Sequence, residues 1–239
     1  MPKFSKIITL TVFGIAMGFL EAAVVVYLRE MYYPEGFTFP LKQMAIEYLT
    51  VEYLREISTI VMLISVGVIA GKNFYERLSY FLFSFGIWDI FYYVWLKFLL
   101  NWPPSLLTWD ILFLIPVIWV GPVLAPVICA ATMILIAGCI LHFQKKGYHV
   151  KIKISEWLLL LSGAFIIFTT FVWDYTEIII KGGYISRLSS LATDPDFQNT
   201  IAGYVPTSYK WPIFFIGEFL IFIFLVVFCK RTKTFFLSV

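Results

Sequence analysis

The feature that most limits this chain is a set of long apolar runs interrupted only by isolated charges. Residues 7–28 contain one charged side chain, Glu21, and residues 78–100 carry Asp89 near their middle. Runs of this length match the roughly 20 residues that cross the hydrocarbon core of a bilayer. Six of them predict an all-α, polytopic integral membrane protein. It is read as one transmembrane helical-bundle domain over residues 1–239, with spans at about 7–28, 52–71, 78–100, 123–142, 157–180 and 211–229. Composition agrees, since only 14% of residues are charged, against about 25% in a soluble domain. The runs do not alternate as the strands of a membrane barrel would. The first run exceeds the apolar core of a signal peptide and contains Glu21, so it is read as a retained span.

Two long loops are expected, 30–50 and 181–210, and Leu41–Thr50 in the first reads as a short interfacial helix. Residues 101–143 are too long for one span, reaching about 60 Å as a continuous helix against a core of about 30 Å. Pro103-Pro104 opens this stretch, and Pro116, Gly121-Pro122 and Pro126 interrupt it. The expectation is a short, broken or re-entrant helix near Ser105–Ile115, carrying Asp110, before the fourth span. Gly14, Gly18 and Ala22 lie four residues apart, a small-residue seam that allows close approach of another helix.

Lys/Arg bias orients the bundle. With both termini inside, Lys3, Lys6, Lys72, Arg77, Lys145, Lys146, Lys151, Lys153, Lys230, Arg231 and Lys233 fall on the cytoplasmic side. The other seven cations spread over much longer loops, as the positive-inside rule requires. The protein is thus expected in the plasma membrane, N-in and C-in. Its net charge of +3 is small and dispersed, so no nucleic-acid partner is expected.

A depth count then places the acids. At 1.5 Å per residue, Asp89 lies about 16 Å above the inner edge, Glu21 about 21 Å and Asp174 about 25 Å. Glu218, descending from the outer edge, lies roughly 10 Å below it. Glu52, Arg55, Glu56, Asp110 and Glu177 also fall in the outer half or at its rim. A charge at the bilayer centre costs about 2.5–3.5 kcal/mol on insertion scales, and such residues are functional by default. The expectation is one outward-open cavity ringed by carboxylates and aromatics. The bland alternative pairs each acid privately with Arg29, Arg55, Lys97 or a Trp or Tyr donor.

The residue types exclude several chemistries. Two histidines, His142 and His149, at the cytoplasmic end cannot ligate a haem or zinc inside the bundle. Cys129, Cys139 and Cys229 lack metal or disulfide spacing. There is no phosphate-binding glycine loop. Carboxylates and aromatics remain, and they favour a membrane-embedded enzyme acting on a lipid or lipid-like small molecule by acid–base chemistry. Asp89, Glu21, Asp174, Glu218, Tyr92 and Tyr93 are the catalytic candidates. Arg55, Glu56, Trp88, Asp110, Trp173 and Glu177 are the substrate-binding candidates. No cofactor is expected, a carboxylate-bound divalent cation being a variant of this reading. The alternatives are a cation- or proton-coupled carrier and a non-catalytic subunit of a membrane complex, with a second copy or another subunit as partner.

Overall fold

The computed structural model describes residues 3–148 and 150–237, so His149 lies outside the described residues. Among the described residues six helices are long and apolar enough to cross a membrane. They are α1 (Lys3–Tyr32), α2 (Ile46–Ala70), α3 (Phe74–Leu100), α4 (Leu124–Lys145), α5 (Ile154–Lys181) and α7 (Trp211–Leu237). A 3-10 run (Tyr184–Thr193) and a short helix α6 (Pro195–Ala202) fill the loop before α7. Large apolar side chains such as Leu20, Ile69, Phe98, Leu158 and Phe219 stay exposed around the bundle, as lipid-facing surfaces do.

Local chemistry explains where the elements start and stop. Asn73 caps α3 by accepting the Glu76 N–H at 3.0 Å, and α3 ends at Asn101 in the left-handed conformation. Asp194 caps α6 by accepting the Asp196 and Phe197 N–H groups, with Pro195 in the first turn. The expected interfacial helix at Leu41–Thr50 does not form separately. Ile46 opens α2, which continues through Glu52, Arg55 and Glu56.

The segment before α4 is a correction to the expected short helix. It is a two-stranded antiparallel hairpin, β1 (Trp109–Phe113) with β2 (Trp119–Pro122). Aromatic and β-branched residues favour strand here, and Pro116 stops a helix from continuing. Asp110 stands opposite Gly121, and the register shifts between Ile111 and Phe113. Such a bulge leaves a backbone group without a ladder partner. The Trp119 indole N–H donates to the Ile115 carbonyl at 2.8 Å and closes the turn.

The helices fall into two groups. In the first, α1 and α2 pack on α3, and Gly14 and Gly18 of the predicted seam lie against Ile87, Trp88 and Tyr92 of α3. In the second, α5 packs on α7, with Gly163 and Gly217 at the crossing. The α3–α4 contact joins them. The near face, where α1 begins, is pinned by Lys6 Nζ to the Ala70 carbonyl (2.7 Å) and by the Arg231–Glu156 ion pair (2.6 Å). The hairpin, α6 and the loop 33–45 gather at the far face.

Candidate functional site

On the far face α1 packs on α3 through Ala22, Tyr93 and Leu96, while α2 packs on α3 rather than on α1. Between them, the hairpin and α6 lies a cavity of about 600 Å³. Its lower wall carries Glu21, Arg29, Glu52, Arg55, Glu56, Trp88, Asp89, Tyr92, Tyr93 and Asp110. Leu49, Leu114, Ile118, Ile179 and Ile201 are among its apolar lining.

Two networks order most of the polar wall. Arg55 is ion-paired to Glu21 of α1, across the gap between α1 and α2, and to Glu52 on its own helix at 2.6 Å. The Thr59 hydroxyl lies 3.4 Å from Glu21. The spacing of Glu52, Arg55 and Glu56 puts them on one helical face, and that face turns inward. In the second network, Arg29 bonds Asp110 at 3.0 Å, and the Tyr93 hydroxyl donates to the other Asp110 oxygen at 3.2 Å. The Arg29 guanidinium also lies 3.7 Å from the Trp102 ring centre and 4.6 Å from that of Phe37. Arg29 and Asp110 are both buried, and a buried pair of this kind holds only with further partners. The aromatic faces and Tyr93 supply them. Burial pushes the Asp110 carboxyl up to about 6, while Arg29, the Ile111 N–H and Tyr93 pull it down.

Glu56 has a different task. Both of its oxygens lie 3.0 Å from the Leu114 N–H, the backbone donor just past the hairpin bulge. Asp89 stands apart from all of these. Its carboxyl lines the cavity and has no hydrogen-bond or ion-pair partner among the described residues.

Eight of the twelve expected site residues therefore line one cavity: Glu21, Arg55, Glu56, Trp88, Asp89, Tyr92, Tyr93 and Asp110. Private pairing accounts for Glu21 and Asp110, though not for Asp89. Lys97 is not used for pairing an acid and donates to the Asn101 and Pro103 carbonyls. The other four residues lie elsewhere. Asp174 accepts the Tyr204 hydroxyl, and Glu177 is ion-paired to Lys181, both beside a shallow surface hollow. Trp173 is exposed, with Lys210 Nζ 5.9 Å above its ring. Glu218 accepts the Thr132 hydroxyl at 2.9 Å on α4. Arg29 and Glu52 belong to the site and were not among the expected residues. Their signal was helical spacing: Arg29 lies two turns beyond Glu21, and Glu52 one turn before Arg55.

Among the described residues no three carboxylate, thiol or imidazole groups converge to hold a metal ion. No protein-family model, no curated protein and no solved structure matches this chain. The chemistry of the cavity has to be read from its own residues.

Proposed function

We propose that this multi-pass membrane protein is an enzyme that takes a lipidic molecule into the cavity and acts on its polar end by proton transfer at Asp89. The observation that carries this reading is the unpartnered Asp89 carboxyl in a wall whose other acids are engaged. A carboxyl free of ion pairs and hydrogen bonds, walled by Trp88, Tyr92 and Tyr93, can gain or lose a proton without dismantling the fold. Leu49, Ile118 and Ile179 suit an alkyl chain. The Lys/Arg excess at the near face supports a cytoplasmic near face in the plasma membrane, with the cavity open toward the outer leaflet. A carrier would need a polar route through the near-face half, and the cavity draws no lining residue from it.

The test is a lipid profile of a strain lacking the gene. An unreacted lipid accumulates, wild-type protein clears it, and Asp89→Asn at equal abundance leaves it uncleared. If Asp89→Asn clears the lipid as fast as wild type, the acid–base assignment fails.

A further inference from the structure

The charges of the cavity are not balanced by the protein alone. Five carboxylates line it: Glu21, Glu52, Glu56, Asp89 and Asp110. The cations are Arg29, Arg55 and Lys42, of which Lys42 is exposed at the mouth, 5.5 Å above the Tyr33 ring. Arg29 is committed to Asp110, and Arg55 to Glu21 and Glu52. Glu56 meets a neutral backbone N–H and Asp89 meets no donor among the described residues. Counted as ionised, the surplus is negative, and it falls on Glu56 and Asp89.

A second observation is independent of the acids. Arg29 Nη1, Trp88 Nε1 and the Tyr175 hydroxyl are buried side-chain atoms without a hydrogen-bond partner. Arg29, Trp88 and Tyr175 are all more than nine-tenths buried, and all belong to the wall of this cavity. Buried polar groups without partners are rare, and each asks for an explanation. These donors stand on three helices around the cavity, Arg29 on α1, Trp88 on α3 beside Asp89, and Tyr175 on α5; with the bare Asp89 carboxylate they suit a head group that presents both a cationic nitrogen and an oxygen acceptor. The ring faces of Trp88, Tyr92 and Tyr93 add attraction for a cation.

We infer that the molecule taken up by this cavity is an amphipath whose head carries a protonated nitrogen, seated on Asp89. This inference rests on the lipidic-ligand reading and narrows it. An ammonium on Asp89 neutralises that carboxylate in a low-dielectric site, where an alcohol offers one neutral hydrogen bond and a phosphate repels. Lys42 at the mouth does not compete for this position, because it lies over Tyr33 at the rim.

The test uses the full-length protein in an uncharged maltoside detergent and three probes of equal chain length: dodecylamine, dodecanol and dodecyl phosphate. Binding is read by native mass spectrometry on four proteins: wild type, Asp89→Asn, Leu49→Trp (which fills the apolar end) and Glu218→Gln (which lies outside the cavity). The expected result is at least about tenfold tighter binding of the amine than of the alcohol by wild type, as one desolvated charge pair provides. That preference disappears in Asp89→Asn and persists in Glu218→Gln. Leu49→Trp weakens the amine and the alcohol alike. Equal binding of alcohol and amine, or a preference for the phosphate, overturns the cationic head and leaves the lipidic site standing. Binding that Leu49→Trp does not weaken, or no binding of any probe, removes the lipidic reading itself. Should Asp89→Asn fail to fold, the ranking of the three probes on wild type decides between these results.

Discussion

Asp110 lies between a guanidinium and a phenol, and its protonation links the site to pH. Its carboxyl is raised to about 6 from an ordinary value of 3.8, burial being the main cause. Arg29 faces it from α1, and Asp89, Tyr92 and Tyr93 face it from α3. The native form holds this proton more tightly than the unfolded chain does. The contribution of Asp110 to stability therefore grows as pH falls through 6 toward 3.8 and is smallest at neutral pH and above. Thermal unfolding of wild type and Asp110→Asn between about pH 4 and about pH 8 checks this. Wild type should gain on the variant as pH falls through the window, by at most about 3 kcal/mol, and a difference independent of pH would refute it. At this scale the sequence was informative about which residues matter and less so about their roles. Asp89 and Glu21 were both catalytic candidates on depth. Only the position of Arg55 on α2, facing Glu21 of α1, separates a paired carboxylate from a bare one.

The α1–α3 crossing is the element on which the site is hung. A Cβ added at Gly18 would lie 3.0 Å from the Trp88 carbonyl oxygen and 3.0 Å from the Tyr92 nitrogen. Gly18→Leu should therefore force the helices apart and cost about 1–3 kcal/mol. Because Trp88, Asp89, Tyr92 and Tyr93 ride on that part of α3, the same variant should also weaken binding in the cavity. Gly138→Ala, inside α4 where a Cβ meets nothing within 4 Å, is the control expected to leave binding unchanged and stability equal or slightly higher. Thermal melts with a dodecylamine titration measure the two effects together. The seam was legible because its small residues recur every fourth position. The hairpin was not, because a short apolar run between prolines fits a helix or a strand equally by periodicity. What selects the strand is tertiary: β1 carries Asp110 to Arg29, and Gly121 opposite it leaves room for the Leu112, Phe171 and Tyr209 side chains.

For the whole molecule, the level of a residue along its helix is readable from the sequence and its direction around the bundle is not. Counting residues from each turn puts the acids of α1, α2 and α3 at similar levels, and Glu21, Glu52, Glu56 and Asp89 line one cavity. It could not show that Asp174 and Glu177 turn toward the surface beside α6, or that Glu218 meets Thr132 on α4. Those facts depend on how α5 and α7 pack, and lipid-facing helices carry little periodic signal of it. Orientation can be checked directly. Glu35→Cys and Lys146→Cys both replace exposed residues, on the far and near faces respectively. In intact cells an impermeant maleimide should label Glu35→Cys, and Lys146→Cys only after permeabilisation; the reverse pattern would invert the proposed topology. One feature already described carries a mechanical consequence. Helix α2 holds the site shut from one side through two contacts, Arg55 with Glu21 on α1 and Glu56 with the Leu114 N–H. Its opposite face, with Val51, Leu54, Val61 and Ile69, is bare of protein. These contacts tie α2 to α1 and to the hairpin, so an outward swing of this helix would have to release both and would widen the cavity on its lipid-facing side.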